Sequence, residues 1–182
     1  GPEGRRIIDR LPGSGYLNPE EVRTLLKAAQ IPLVEEFTST DRDELVAFAK
    51  RVKFPVVAKV VGPIHKSDMG GVALNIRSEE HLIFEYERMM RLPDVTAVMV
   101  QPMLKGQELF LGAKYEDRFG HVVLCGLGGI FVEVLKDVSY GLSPLSYDET
   151  YSMIRSLRGY PIIKGTRGQR GVDEQQYADI IV

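Results

Sequence analysis

A chain of 182 residues, 44% of them hydrophobic and 26% charged, with a formal net charge of -2, has the make-up of an ordinary globular protein and can bury one good core, or one small core plus a lid, but hardly two independent domains. There is no basic excess to bind nucleic acid, no apolar run near the roughly 20 residues that span a bilayer, and no charged-then-apolar signal peptide at the N-terminus. The single Cys125 excludes an internal disulfide and any multi-cysteine metal site, so the expected setting is cytoplasmic, with neither nucleic acid nor membrane as partner.

Residues 1–16 carry charges and a Pro12-Gly13-Ser14-Gly15 run without periodicity, and they read as a linker or tag remnant; residues 17–182 form the expected domain. Asn18 can cap a helix, Pro19 suits its first position, and Val22, Leu25, Leu26 and Ala29 recur at helical spacing. An extended segment from Pro32 to Phe37 precedes a second helix, capped near Thr40, with Leu45, Phe48, Ala49 and Val52 on one face. After Pro55, the β-branched run Val56, Val57, Val60 and Val61 predicts a strand buried on both faces. Val72 to Ile76 predict another strand, and Ser78 caps a third helix bearing Leu82, Ile83, Tyr86, Met89 and Met90.

Thr96 to Val100, Glu108 to Lys114 and His121 to Cys125 are separated by Pro-, Gly- and Asp-containing breaks, as in an antiparallel meander that Gly126-Leu127-Gly128-Gly129 interrupts. The segment holding Glu133 and Asp137 reads as extended. Ser146 and Glu149 form a capping box for a helix ending at Gly159, and Asp173 caps a last one. The apolar end Ile180-Ile181-Val182 would lie exposed or need a partner.

Several residues could carry chemistry. Lys59 sits among four valines, where a buried ammonium costs several kcal/mol unless an anion compensates it, although a lysine on an edge strand can snorkel. His65-Lys66-Ser67-Asp68 runs into Met69-Gly70-Gly71, placing an imidazole, a cation and a flexible glycine pair together; handling a nucleotide's phosphates would require these, and a solvated turn would accept the same residues. Gln101-Pro102-Met103 and Glu108 form a strand-to-strand hinge that can offer backbone groups to a purine and a carboxylate to ribose, or serve as a plain loop with an exposed Glu. Gly128-Gly129 lacks the strand-turn-helix setting of a dinucleotide fingerprint. Glu133 and Asp137 could flank a metal or a phosphohistidine, or be a solvated pair. His81 and His121 read as surface or structural residues, Cys125 as a small buried hydrophobe, and Arg167-Gly168-x-Arg170-Gly171 as a mobile basic loop.

Taken in order, Phe54-Pro55-Val56-Val57-Ala58-Lys59-Val60, His65 to Val72, Val100 to Met103 with Glu108-Leu109, Gly126 to Val138, and Lys164 to Gly168 resemble the ATP-grasp part of NDP-forming acyl-CoA synthetases. These are ADP-forming acetate–CoA ligases related to the succinyl-CoA synthetase β subunit. The resemblance covers nearly everything from Asn18 onward. It implies an α/β (α+β) ATP-grasp fold, in which two α/β subdomains with mixed or antiparallel sheets clasp a nucleotide.

By that likeness Lys59 touches the phosphates of ATP or ADP, Gln101 and Met103 hold adenine, and Glu108 binds ribose. His65 matches the transiently phosphorylated histidine, Gly70 and Gly71 let its loop move, and Gly128, Gly129 and Glu133 receive its phosphate. The family's Mg²⁺ ligands are expected beyond Val182, so the domain reads as C-terminally truncated and inactive alone. CoA and the acid would be bound by other domains, in the same chain or a partner subunit. Two further readings stand beside this one. One is a non-catalytic module sensing acyl-CoA or nucleotide, fused to a lysine acetyltransferase; the other is a succinyl-CoA synthetase β-type subunit.

Overall fold

Helices start where short polar side chains can serve the first free amides. Asn18 accepts from the Glu21 amide at 2.9 Å, and the Glu21 carboxylate accepts from the Asn18 amide at 2.8 Å, closing a capping box on α2 (Pro19–Ala28). Asp41, one residue beyond the expected Thr40, accepts from the Asp43 and Glu44 amides to start α3 (Arg42–Val52). Ser78 caps α4 (Glu79–Met89), Ser146 with Glu149 caps α5 (Tyr147–Arg155), and Asp173 caps α7 (Glu174–Ile181). The computed structural model describes residues 2–11, 13, 15–62 and 70–182, and the chain divides into two units, Gly1–Leu104 and Lys105–Val182.

In the first unit four antiparallel strands lie in the order β1-β4-β2-β3, with β1 at Phe37–Ser39, β2 at Val56–Val61, β3 at Val72–Ile76 and β4 at Ala97–Pro102. Successive strand side chains face opposite ways. Val56, Ala58 and Val60 of β2 therefore share one face with Val98 and Val100 of β4, and that face packs on Leu45 and Ala49 of α3 and Leu82 and Met89 of α4. Leu45, Ile76, Leu82 and Met89 are essentially sealed from solvent, each contributing on the order of 1.5–3 kcal/mol of burial.

The second unit is a meander, β5 (Leu109–Glu116), β6 (Gly120–Leu127) and β7 (Val138–Leu142), covered by α5, α6 (Tyr160–Lys164) and α7. Cys125 and Leu127 of β6 meet Met153, Ile154, Tyr177 and Ile181 in its core. Burial pushes the Cys125 thiol up to about 11, so it stays protonated near neutral pH and is no nucleophile. Ile181 at the chain's end is buried, while Val182 is exposed.

The Tyr177 hydroxyl donates to the Phe110 carbonyl at 2.5 Å and accepts from the Gly126 amide at 3.2 Å, pinning α7 to the paired residues Phe110 and Gly126 of β5 and β6. Tyr177→Phe is expected to strand buried backbone groups and lower stability by about 1–3 kcal/mol in urea titration, with the fold's circular dichroism unchanged.

Five expectations are corrected. Residues 2–9, expected as part of an aperiodic linker, form α1 (Pro2–Asp9), whose Gly4 lies against Leu25 of α2. The strand expected at Thr96 to Val100 belongs to the first unit's sheet rather than to the meander, whose third strand is β7. Gly126 and Leu127 do not interrupt the sheet but continue β6, since a glycine leaves room for the Asp137 carbonyl, 2.6 Å from where a Cβ would sit. The Glu133 segment is not extended but a π-helix, Phe131–Leu135, ended by Lys136 in a left-handed conformation at φ 47°. The helix expected to run from Ser146 to Gly159 stops at Arg155, and the short α6 follows at Tyr160–Lys164.

Candidate functional site

The helix-covered face of the first sheet accounts for alternate residues of β2 and leaves the others, Val57, Lys59 and Val61, on the opposite side. Lys59 pairs with Met99 of β4 and Val72 of β3, and Val57 pairs with Gln101, so Lys59 and Gln101 share this second face as diagonal neighbours. Lys59 is half-buried. No carboxylate lies within 4 Å of it among the described residues, whereas Arg23, Arg51 and Lys50 of the same unit each have one. A half-buried cation without a counter-charge is an anion site in waiting.

Gln101 stands on this face, next to the last residue of β4. Its side-chain amide donates to Glu36 at 2.9 Å, and Glu36 is held in turn by Arg23 of α2, 3.0 Å away. Glu36 and Arg23 escaped the sequence reading. Only the register, with Phe37 opposite Val100, carries the next residue, Glu36, alongside Gln101. Met103 follows β4, and its amide is committed to the Pro55 carbonyl at 3.0 Å, so what Met103 can offer a ligand is its own carbonyl. Gly70, at φ 71°, and Gly71 lead into β3, and the Gly71 carbonyl accepts from the Val60 amide at 2.8 Å beside Lys59. His65 lies outside the described residues.

In the second unit Glu108, exposed just before β5, is brought together with Gly128 and Gly129. Its carbonyl accepts from the Gly128 amide at 2.8 Å. A Cβ on Gly128 would meet Glu108 Cβ at 3.0 Å, and one on Gly129, at φ 62°, would meet a Glu108 carboxylate oxygen at 2.8 Å. Both glycines are needed for the turn to close on Glu108. Glu133 is exposed on the π-helix, whereas Asp137 is buried and accepts from the Arg158 and Gly159 amides at 2.9 and 2.7 Å. The two carboxylates are not a pair: Asp137 is tied to the backbone, and Glu133 stays available. Among the described residues no three His, Cys, Asp or Glu side chains converge on a metal position, so no Mg²⁺ ligand is assigned within them. No helix among them is long and apolar enough to cross a membrane.

Comparison with known proteins settles the family. Residues 11–182 match the model described as an ATP-grasp domain. The chain belongs to the ATP-grasp family. This ATP-grasp chain is 37% identical to the β subunit of ADP-forming acetate–CoA ligase I of Pyrococcus furiosus, over 99% of its own length and 82% of that protein. Among solved structures it is similar to the dinucleotide-forming acetyl-coenzyme A synthetase 1 of Ca. Korarchaeum cryptofilum in complex with coenzyme A and Ca-AMPCP, at 34% identity and a TM-score of 0.80, covering 89% of this chain and 75% of that one. The same synthetase with coenzyme A and Mg-AMPPCP, described with its phosphohistidine segment pointing towards the nucleotide binding site, matches at 34% identity and a TM-score of 0.78, over 97% and 82% of the two chains. The ATP-grasp fold expected from the residue blocks is thus the fold of the chain.

Proposed function

We propose that this chain is the nucleotide-binding part of an ADP-forming acyl-CoA synthetase of the acetate–CoA ligase type. Its task is to pass a phosphoryl group between a phosphohistidine and ADP within the reversible conversion of acyl-CoA, ADP and phosphate to acid, CoA and ATP. The observation that carries this reading is Lys59, half-buried without a counter-charge among the described residues, on the face of β2 opposite the helices and sharing that face with Gln101. The likeness to the Pyrococcus furiosus β subunit supports it.

Each unit offers its own groups. In the first, the Lys59 ammonium supplies charge-assisted hydrogen bonds to phosphate oxygens, and Gln101 with the Met103 carbonyl faces the purine. In the second, the Glu108 carboxylate accepts from ribose hydroxyls, while the turn of Gly128 and Gly129 that closes on Glu108, together with Glu133, receives the phosphate. His65 is the carrier. Neutral imidazole attacks the γ-phosphorus of ATP, a P–N bond forms, and the bond to the bridging oxygen breaks to release ADP; the reverse step transfers the group from His65 to ADP. Mg²⁺ supplies charge neutralisation on the phosphates when the nucleotide binds, and no step is assigned to a metal held by the described residues.

Two finer points belong to the same proposal. CoA and acyl phosphate are handled by CoA-binding and ligase domains, fused to this chain or in a partner subunit, and the enzyme works in the cytoplasm, where its free Cys125 stays reduced. Calorimetric titration of the complete enzyme with Mg-ADP tests the reading. One saturable site per chain, unaffected by His65→Ala, is expected; absence of saturable binding would refute it.

A further inference from the structure

A glutamine beside a purine can show it either an amide NH₂ or a carbonyl oxygen, and which one it shows decides which purine is accepted. Exchanging the two is a rotation of the terminal amide, so some neighbour must fix it. In this structure the neighbour is Glu36. Gln101 Nε2 donates to Glu36 Oε2 at 2.9 Å. A carboxylate only accepts, so the reverse rotamer would set two acceptors against each other, and the Gln101 NH₂ is held toward Glu36.

Glu36 is itself fixed. Arg23 Nη1 lies 3.0 Å from the same Oε2, and Arg23 Nη2 donates to the Val34 carbonyl at 3.2 Å. The Glu36 and Arg23 side chains are 18% and 27% exposed, so water competes weakly for either. One guanidinium of α2 thus orients a carboxylate at the entrance to β1, and that carboxylate orients the amide at the end of β4.

We propose that Glu36, held by Arg23, is the positioning residue for base selectivity: it turns the Gln101 carbonyl outward to accept from the 6-amino group of adenine. The inference rests on the nucleotide reading above. A 6-oxo base, guanine or hypoxanthine, sets its own acceptor against that carbonyl with no proton between them. Glu36 touches no part of the nucleotide and acts through Gln101 alone.

The test is the ratio of affinities for Mg-ADP, Mg-IDP and Mg-GDP, measured by calorimetry on the complete enzyme. IDP differs from ADP in its 6-oxo group and the N1 proton that comes with it, and GDP adds the 2-amino group, so the pair separates the acceptor clash from crowding at position 2. The wild type is expected to favour ADP over IDP by about ten- to a hundredfold. In Glu36→Gln, whose amide can donate to a turned Gln101, that ratio is expected to fall at least about tenfold. The exchanged pair, Glu36→Gln with Gln101→Glu, again presents a fixed acceptor and should recover the preference for ADP.

A purely structural role for Glu36 would weaken all three nucleotides alike. An unchanged ADP-to-IDP ratio in Glu36→Gln would therefore overturn this inference and leave the nucleotide site standing. A wild type that binds none of the three would overturn the nucleotide reading, and this inference with it.

Discussion

Lys59→Ala is expected to bind Mg-ADP about ten- to a hundredfold more weakly than the wild type while melting at the same temperature or slightly higher. The two halves of that result have separate causes. A charge-assisted hydrogen bond from an ammonium to a phosphate is worth about 1.5–3 kcal/mol, which at room temperature is an order of magnitude or two in affinity. Stability should not suffer, because Lys59 lies on the face of β2 away from the helix-packed core and has no carboxylate partner among the described residues. Removing a half-buried charge that has no partner among the described residues relieves desolvation rather than breaking a pair there. Calorimetry with a thermal melt on the same sample checks both. Lys59→Arg should restore only part of the affinity, since a planar guanidinium does not reproduce a compact ammonium. Equal losses of affinity and stability would mean that Lys59 is a structural residue.

Asp137→Ala is expected to cost about 2–4 kcal/mol of stability, the largest effect foreseen outside the packed apolar core. Asp137 is 8% exposed, and its carboxylate accepts from two successive backbone amides, Arg158 and Gly159, where α5 hands over to α6. Alanine would leave both part-buried amides without their partner, and each such loss costs on the order of 1–3 kcal/mol. The Arg158 guanidinium, 3.8 Å away and largely exposed, adds little. Asn keeps one acceptor and should lose about half as much in a urea titration. A neutral result would return Asp137 to the set of groups free for phosphate chemistry.

Local signals in the sequence carried much of this fold. Asn18, Ser78, Ser146 and Asp173 cap the helices they were expected to cap, because capping is a transaction within four residues and needs no tertiary information. The β-branched run around Lys59 is a central strand, since alternate valines there are fully buried. Sheet membership was not legible: Thr96 to Val100 looks the same whether it joins one sheet or the other, and only pairing with β2 decides it. The π-helix at Phe131–Leu135 was missed because β-branched and apolar residues on either side of Glu133 read as a strand by composition, while the left-handed Lys136 that ends it leaves no mark in the sequence.

The candidate site divides along the same line. Lys59, Gln101 and Glu108 announce themselves through residue type and setting. Glu36 and Arg23 do not, because an extended Glu-Glu pair and a helical arginine look like ordinary surface charges until the register sets one of them against Gln101. Asp137 erred in the other direction. Four residues from Glu133 it resembled half of a chemical pair, yet it is a backbone anchor.

Phosphohistidine mapping tests the central claim most directly. The complete enzyme would be incubated with Mg-ATP labelled in the γ-phosphate, digested under alkaline conditions that preserve phosphoramidates, and the acid-labile label assigned by mass spectrometry. The account predicts label on His65, none in His65→Ala, and discharge of the labelled protein by unlabelled ADP. Absence of label on His65, or undiminished labelling of His65→Ala, would contradict it.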